Sequence, residues 1–233
     1  MKKLFLVFLV AITFKMFSQD SLSISQIKLK SQIFSLSPIS KKVNLVNGLA
    51  LGVGHYDNKN IQKQTVNGLN LEVNPLCIGA PFLLLTLANE RFQIKNGIDE
   101  FDNNSLIKIN GINITTGGFL SRAQLNGVNI STFTQMEKMN GLSVSGLVTS
   151  CKSAKGISIS GILSYNQKIN GLAVGLINHV DFLKGAQFGI YNNCNTEMTG
   201  IQIGLINISE KTRGLQIGLL NINKKRAMPF INF

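Results

Sequence analysis

The side chains best suited to acid/base, nucleophilic or metal chemistry are two histidines, His55 and His179, and three cysteines, Cys77, Cys151 and Cys194, in a chain of 233 residues. His55 stands near Asp57 in the segment GHYD, where an imidazole and a carboxylate could share a proton, but a surface turn accounts for the same residues. Neither histidine lies in a ligand-spaced cluster with Cys, Asp or Glu, so no metal site is expected. A G-x-S-x-G motif is met only formally, because Gly141-Leu142-Ser143-Val144-Ser145 lacks the closing glycine, and no phosphate-binding loop of the G-x-x-x-x-G-K-[ST] type occurs. The expectation is a non-enzymatic protein with no catalytic residues, no cofactor and no metal. What the composition does offer is charge: Lys and Arg number 23 against 11 Asp and Glu, an excess suited to anionic partners. Where that charge can act depends on the elements that carry it.

Met1 to Gln19 has a basic start (Lys2, Lys3), an apolar stretch from Leu4 to Phe14 and a short polar close, the layout of a secretory signal peptide. Cleavage near Gln19 and Asp20 would leave 20 basic and 11 acidic residues, a net charge of +9. No cysteine lies near that point, so a lipid anchor on a new amino-terminal Cys is not expected. The longest later apolar stretch, Leu76 to Leu87, is broken by Gly79 and Pro81 and is too short to span a bilayer, so no transmembrane helix is expected after cleavage.

The glycines that open each apolar run, Gly111, Gly127, Gly141, Gly156, Gly171, Gly185, Gly200 and Gly214, are spaced by 14 to 16 residues, and Gly48 and Gly68 begin similar units upstream. This is a tandem repeat. Its clearest units are GLAVGLIN, GAQFGIYN, GIQIGLIN and GLQIGLLN. Apolar residues occupy the first, third and fifth positions after the glycine, as in Leu215, Ile217 and Leu219, while Gln216 and Gly218 take the opposite face; alternation with period two predicts β-strand. Asn often precedes the glycine (Asn47, Asn67, Asn110, Asn126, Asn140, Asn170), where Asn-Gly tolerates the positive φ of a turn. A second corner is marked by Asn178, Asn192, Asn207 and Asn221. Charge is confined to the segment between one unit and the next.

Two architectures satisfy the pattern. In an all-β solenoid each unit is one coil, leucines and isoleucines fill a narrow core, and the corner asparagines form a ladder. In an antiparallel meander or outer-membrane barrel each unit is one strand, favoured by the export signal and the terminal Phe233 but opposed by the missing aromatic girdles and the uniformly short connections. The solenoid is the leading reading, with residues 20–110 as an irregular amino-terminal β region and 111–233 as the repeat region. Within the former, Cys77 to Glu90 and Gly97 to Asn104 are expected insertions, the apolar CIGAPFLLLTL serving as a plug for an open end or as a membrane- or partner-binding segment. Cys151 and Cys194 lie 43 residues, three repeats, apart, which in a solenoid places them about 14 Å from each other along the axis, too far for a disulfide.

The stretch GIQIGLINISEKTRGLQIGLLNINKK and the closing MPFINF resemble a bacterial family of secreted "surface repeat" proteins built from tandem G-L-Q-I-G-L-x-N units, well over Gly111 to Phe233 and more loosely over Val66 to Pro75. The resemblance implies export in a Gram-negative bacterium and exposure at the outer membrane or cell surface, with the periplasm as the alternative. It carries no catalytic residue. The units GLSVSGLV and GISISGIL depart from the motif, with Ser in place of the second glycine and no corner Asn, which puts a uniform stack in doubt there.

If the connecting segments stack, Arg122, Lys138, Lys152, Lys155, Lys168, Lys184, Lys211 and Arg213 form a basic ribbon diluted by Glu137, Asp181, Glu197 and Glu210. Such a ribbon could meet envelope components, anionic glycans or lipids; it could equally keep an apolar β-stack soluble. No aromatics are interleaved with it, so nucleic acid is not expected. The uncharged face of Gln187, Gly189, Gln202, Gly204, Gln216 and Gly218 is expected to lie against another extended surface. The two functional readings are an exported envelope scaffold and, alternatively, an integral outer-membrane barrel acting as pore or anchor.

Overall fold

The computed structural model describes residues 30–54, 63–74, 107–117 and 123–233. The expected signal peptide, His55, Asp57, Cys77 with the apolar segment that follows it, Gly97 to Asn104, and Arg122 lie outside the described residues.

Among the described residues the chain is all β. The strands are β1 (Lys30–Ser37), β2 (Val43–Gly52), β3 (Gln64–Glu72), β4 (Ile107–Thr115), β5 (Ala123–Ser160), β6 (Leu163–Val174), β7 (Ile177–Phe188), β8 (Tyr191–Ile203), β9 (Ile206–Asn223) and β10 (Ala227–Asn232). They follow one another in the sheet in chain order, and β1 through β9 pair in parallel. Parallel pairing of successive units, with β5 alone winding through 38 residues, makes the chain a β-solenoid of about ten coils. The antiparallel alternatives, meander and barrel, are thereby replaced. A barrel strand runs opposite to its neighbour, whereas here Gly171, Gly185, Gly200 and Gly214 stand side by side in one direction. Gly48 and Gly68 join the same register with Gly111, so the described upstream strands are coils of the same stack.

The repeated glycine has a backbone cause. All ten opening glycines adopt φ between +118° and +153°, where a side chain is strained. From Gly68 onward, a Cβ at each would collide with the carbonyl oxygen of the corresponding glycine one coil back. The coils touch backbone to backbone along this column, in a bend inside a continuous strand, and only glycine allows it. Outside that bend, the side chains of Asn47, Asn67, Asn110, Asn126 and Asn140 form an amide ladder, each donating to the one before at 2.7 to 2.8 Å.

The two faces of the strands are reversed relative to expectation. Leu215, Ile217 and Leu219, with their equivalents, point outward, whereas Gln187, Gln202 and Gln216 are fully buried. Alternation identifies which residues share a face but not which face is inside. The interior instead contains an apolar column two residues before the glycines from Gly48 to Gly200 (Val46, Val66, Ile109, Leu125, Met139, Ala154, Ile169, Leu183, Met198), further buried apolar residues on the preceding segment (Ile107, Ala123, Met136, Cys151, Val180, Cys194), and polar columns beside them. Gln216 donates to Gln202 at 2.8 Å and Gln202 to Gln187 at 2.7 Å, while Asn70, Asn113 and Asn129 play the same part upstream at 2.7 Å. The leucines and isoleucines that follow the opening glycines therefore lie outside the core, and the face expected to lie against another surface is internal.

The corner asparagines do form a ladder, and it too is buried. Asn178, Asn192, Asn207 and Asn221 are linked by amide bonds of 2.7 to 2.8 Å. Each sits three residues beyond a corner glycine. The amide of Asn178 donates to Gly175 O at 3.1 Å and to Phe188 O of the next coil at 2.8 Å; Asn192 and Asn207 reach Ile203 O and Ile217 O at 2.9 Å. A corner turns carbonyls into the lumen, and a buried carbonyl without a donor is destabilising by about 1–3 kcal/mol. An amide supplies that donor where leucine cannot.

The stack ends in a reversal. β10 folds back antiparallel on β9, and Asn232 closes the glutamine ladder through Gln216 Oε1 at 3.1 Å. Arg226 holds this return by donating from Nε to Asn232 at 2.8 Å, from its terminal guanidinium nitrogen to the Phe233 carbonyl at 2.6 Å, and by lying 4.4 Å from the Phe233 ring centroid.

Candidate apolar and basic surface

Each carboxyl-terminal coil has three segments. In the coil that starts at Gly200 they are Gly200 to Ile203, then, after a bend at Gly204 and Leu205, Ile206 to Ser209, and finally the charged run Glu210 to Arg213. The bend places one residue per coil at a vertex, the sixth after Gly156 and the fifth after Gly171, Gly185, Gly200 and Gly214. Ile162, Leu176, Ile190, Leu205 and Leu219 succeed one another there, 38%, 48%, 50%, 50% and 64% exposed. Ile157, Phe188, Ile201 and Ile217 extend the apolar surface along the first segment, and Ile177, Ile206 and Leu220 along the second; all are exposed. An apolar surface continuous over several coils exceeds the scattered exposed leucines usual on soluble proteins.

Backbone donors at and beside the vertex bond from coil to coil. Ile177 N donates to Ile162 O at 2.8 Å, Ile190 N to Leu176 O at 2.9 Å, Ile206 N to Ile190 O at 3.0 Å and Leu220 N to Leu205 O at 2.9 Å. With the inner carbonyls held by the asparagine ladder, much of the backbone polarity beside the vertex is satisfied within the stack.

The basic residues fall into columns rather than one ribbon. Lys155, Lys184 and Arg213 alternate with Asn170 and Thr199 immediately before the opening glycines. Lys168 and Lys211 share a second column with Phe182 and Glu197. Glu197 binds Lys211 at 3.6 Å and Arg213 at 3.2 Å; Glu137 binds Lys152 at 3.5 Å; Lys168 Nζ stands 5.5 Å from the centre of the Phe182 ring. Lys138 lies in the connecting segment of an earlier coil on β5. At the carboxyl-terminal end an open groove of about 680 Å3 is lined by Lys211, Arg213, Lys224 and Lys225 together with Glu210 and Phe233. The acidic residues interrupt the basic field but do not balance it: from 123 to 226 there are ten Lys and Arg against four Asp and Glu.

His179 lies on the second segment, half-buried, its ring stacked on Tyr165 at 4.9 Å between centroids. Asn195 Nδ2 approaches His179 Nε2 at 2.7 Å and donates to Asp181 Oδ1 at 2.9 Å, while Asn193 Nδ2 lies 3.2 Å from His179 Nδ1. Burial lowers the imidazole's pKa, opposed in part by Asp181, and burial followed by Asp181 raises that of the Tyr165 phenol. The imidazole is thus bracketed by amides, and the carboxylate reaches it only through Asn195. Cys151 and Cys194 are free and buried, separated by three coils through Asn166 and Val180 as the repeat spacing predicts. Burial pushes the Cys151 thiol up to about 12 and raises Cys194 in the same direction, which suppresses the thiolate in both. Among the described residues no group of three His, Cys, Asp or Glu could hold a metal ion, and no helix is long and apolar enough to cross a membrane.

The amide ladders and the apolar vertex are the features sequence reasoning assigned to the wrong sides. A usable signal was present: Asn178, Asn192, Asn207 and Asn221 each follow a glycine by three residues, the offset at which an amide reaches back to a corner carbonyl. Comparison of the chain with protein-family models, curated proteins and solved structures finds no match.

Proposed function

We propose that this protein is a non-enzymatic, exported cell-envelope protein whose solenoid is a rigid scaffold for contact with an envelope component. The observation that carries the reading is the apolar vertex with its two flanking segments: such a surface on an ordered, coil-bonded frame is suited to lasting contact rather than turnover. The amino-terminal sequence and the resemblance of the G-L-Q-I-G-L-x-N units to secreted surface-repeat proteins support export. The barrel form of the envelope reading is not retained, because the strands are parallel. Fractionation of native cells tests the proposal: recovery in the envelope fraction with the amino-terminal 19 or so residues removed supports it, and recovery of uncleaved chain in the cytosol refutes it.

A further inference from the structure

We infer that the apolar vertex is a membrane-insertion edge, which enters one leaflet of an anionic bilayer while the charged segments remain at headgroup level. The inference rests on the envelope reading above and specifies its partner. Three observations favour lipid over a second copy of the chain. First, exposed large apolar side chains lie on both segments that meet at the column from Ile162 to Leu219, and a shallow apolar groove beside that column runs over Gly189, Gly204 and Gly218. A flat partner covers one segment and leaves the other wet, whereas acyl chains close around both. Second, the backbone amides of Ile177, Ile190, Ile206 and Leu220 are bonded between coils and the inner carbonyls to the asparagine ladder, which lowers the cost of entry into a medium without hydrogen-bonding partners.

Third, charge is placed to complement such a surface. The first segment is about five residues long, roughly 15 Å at the rise of an extended strand. An edge buried about 5–10 Å, as interfacial elements are, leaves Lys155, Lys184 and Arg213 at the base of that segment within side-chain reach of phosphates. The same excess of ten basic over four acidic residues from 123 to 226 opposes side-by-side packing of two copies.

The chain has no Trp, so a single introduced one is a clean reporter. Leu205→Trp places the indole on the edge and Lys184→Trp places it at the base of the first segment. Mature full-length protein is mixed with vesicles of phosphatidylcholine alone or with phosphatidylglycerol, some carrying brominated acyl chains. Insertion predicts a blue shift and bromine quenching for Leu205→Trp, little of either for Lys184→Trp, and stronger binding to the phosphatidylglycerol vesicles that weakens with salt. Leu205→Glu with Leu219→Glu is expected to reduce partitioning about tenfold per leucine while leaving the β-type circular dichroism unchanged. Equal responses at the two positions, no response to either vesicle, or a dimer in sedimentation that shields Leu205→Trp without lipid would overturn the inference. If the native protein fractionates with the envelope yet fails these vesicle measurements, only the insertion inference falls; cytosolic recovery removes the envelope reading itself.

Discussion

Replacing Gly200 by Ala tests the repeat at its most constrained point. Gly200 has φ +139°, and an added Cβ would lie 2.8 Å from the carbonyl carbon of Gly185 and closer still to its oxygen. No side chain can move aside, because the obstacle is backbone. Residues forced into such a φ are strained by about 1–3 kcal/mol. Relieving the clash also means separating the two coils, at a loss of about 0.5–1.5 kcal/mol for each hydrogen bond released; with two such bonds, the total is roughly 2–6 kcal/mol. For a chain of this size that corresponds to a fall in Tm of about 10 °C. Gly146→Ala is the internal control: it lies outside the positive-φ set and its Cβ would meet nothing nearer than Thr132 Cα at 3.8 Å. Restricting the unfolded chain there is neutral or stabilises by up to about 1 kcal/mol. Urea unfolding followed by circular dichroism measures both. Should Gly200→Ala fall within about 1 kcal/mol of Gly146→Ala, the glycine column is not the close backbone contact described.

The reversed faces predict opposite responses to opposite substitutions. Asn192→Leu deletes donors to Ile203 O and Asn207 Oδ1 and is expected to destabilise by about 2–3 kcal/mol, whereas Leu205→Asn on the edge should shift the urea midpoint by less than about 0.5 kcal/mol equivalent. If the leucine change is the damaging one, the interior has been assigned to the wrong face. The thiols of Cys151 and Cys194 should resist iodoacetamide at pH 8 in native protein and react in denaturant, and mass spectrometry of unreduced protein should show no bond between them. His179 contributes in the acid direction: its folded pKa lies below its ordinary value of 6.5, so the unfolded chain binds the proton more readily. Its neutral form therefore supports stability above pH 6.5, and that support is lost as the pH falls below it. In His179→Gln the fall in Tm between neutral and mildly acidic pH should be smaller; an unchanged slope assigns the dependence elsewhere.

The period of the fold was legible in the sequence because its cause is local. A backbone that touches its neighbour once per coil requires glycine there, and Gly111 through Gly214 record the coil length directly. The Asn-Gly pairs, the corner asparagines and the separation of Cys151 from Cys194 follow from the same register. The faces were harder to assign, since Ile201, Ile203 and Leu205 form an apolar stripe whether they line a lumen or coat one. Ordinary experience places such a stripe inside. Parallel pairing was the leading reading, from the missing aromatic girdles and the uniformly short connections, but the repeat period alone did not decide it, because both arrangements run at one strand-like unit per repeat. Of the candidate surface, the basic residues were visible by type, but their division into two columns depends on the offset by which Lys155 meets Asn170 and Lys168 meets Phe182.

The reversal has a physical cause that the carbonyls make plain. In a coil of 14 or 15 residues the lumen is narrow, so corner backbone is brought inside together with side chains. Each bend turns carbonyls such as Gly204 O and Ile217 O inward, and Asn207 meets both. Hydrocarbon there would leave them unbonded in every coil, a penalty multiplied along the stack. Amides stacked one coil apart satisfy the carbonyls and also each other, as in the ladder from Gln187 to Gln216, so that one side-chain type answers both demands. Where the second position after the opening glycine is an amide, as at Gln187, Gln202 and Gln216, the isoleucines and leucines on either side of it face outward. The exposed apolar edge is therefore what an amide-filled lumen permits, and Leu205 and Leu219 mark where it is most pronounced. Polar residues at those outer positions would satisfy the fold equally well. On the membrane-insertion proposal, the large apolar side chains from Ile162 to Leu219 serve contact with lipid rather than the fold.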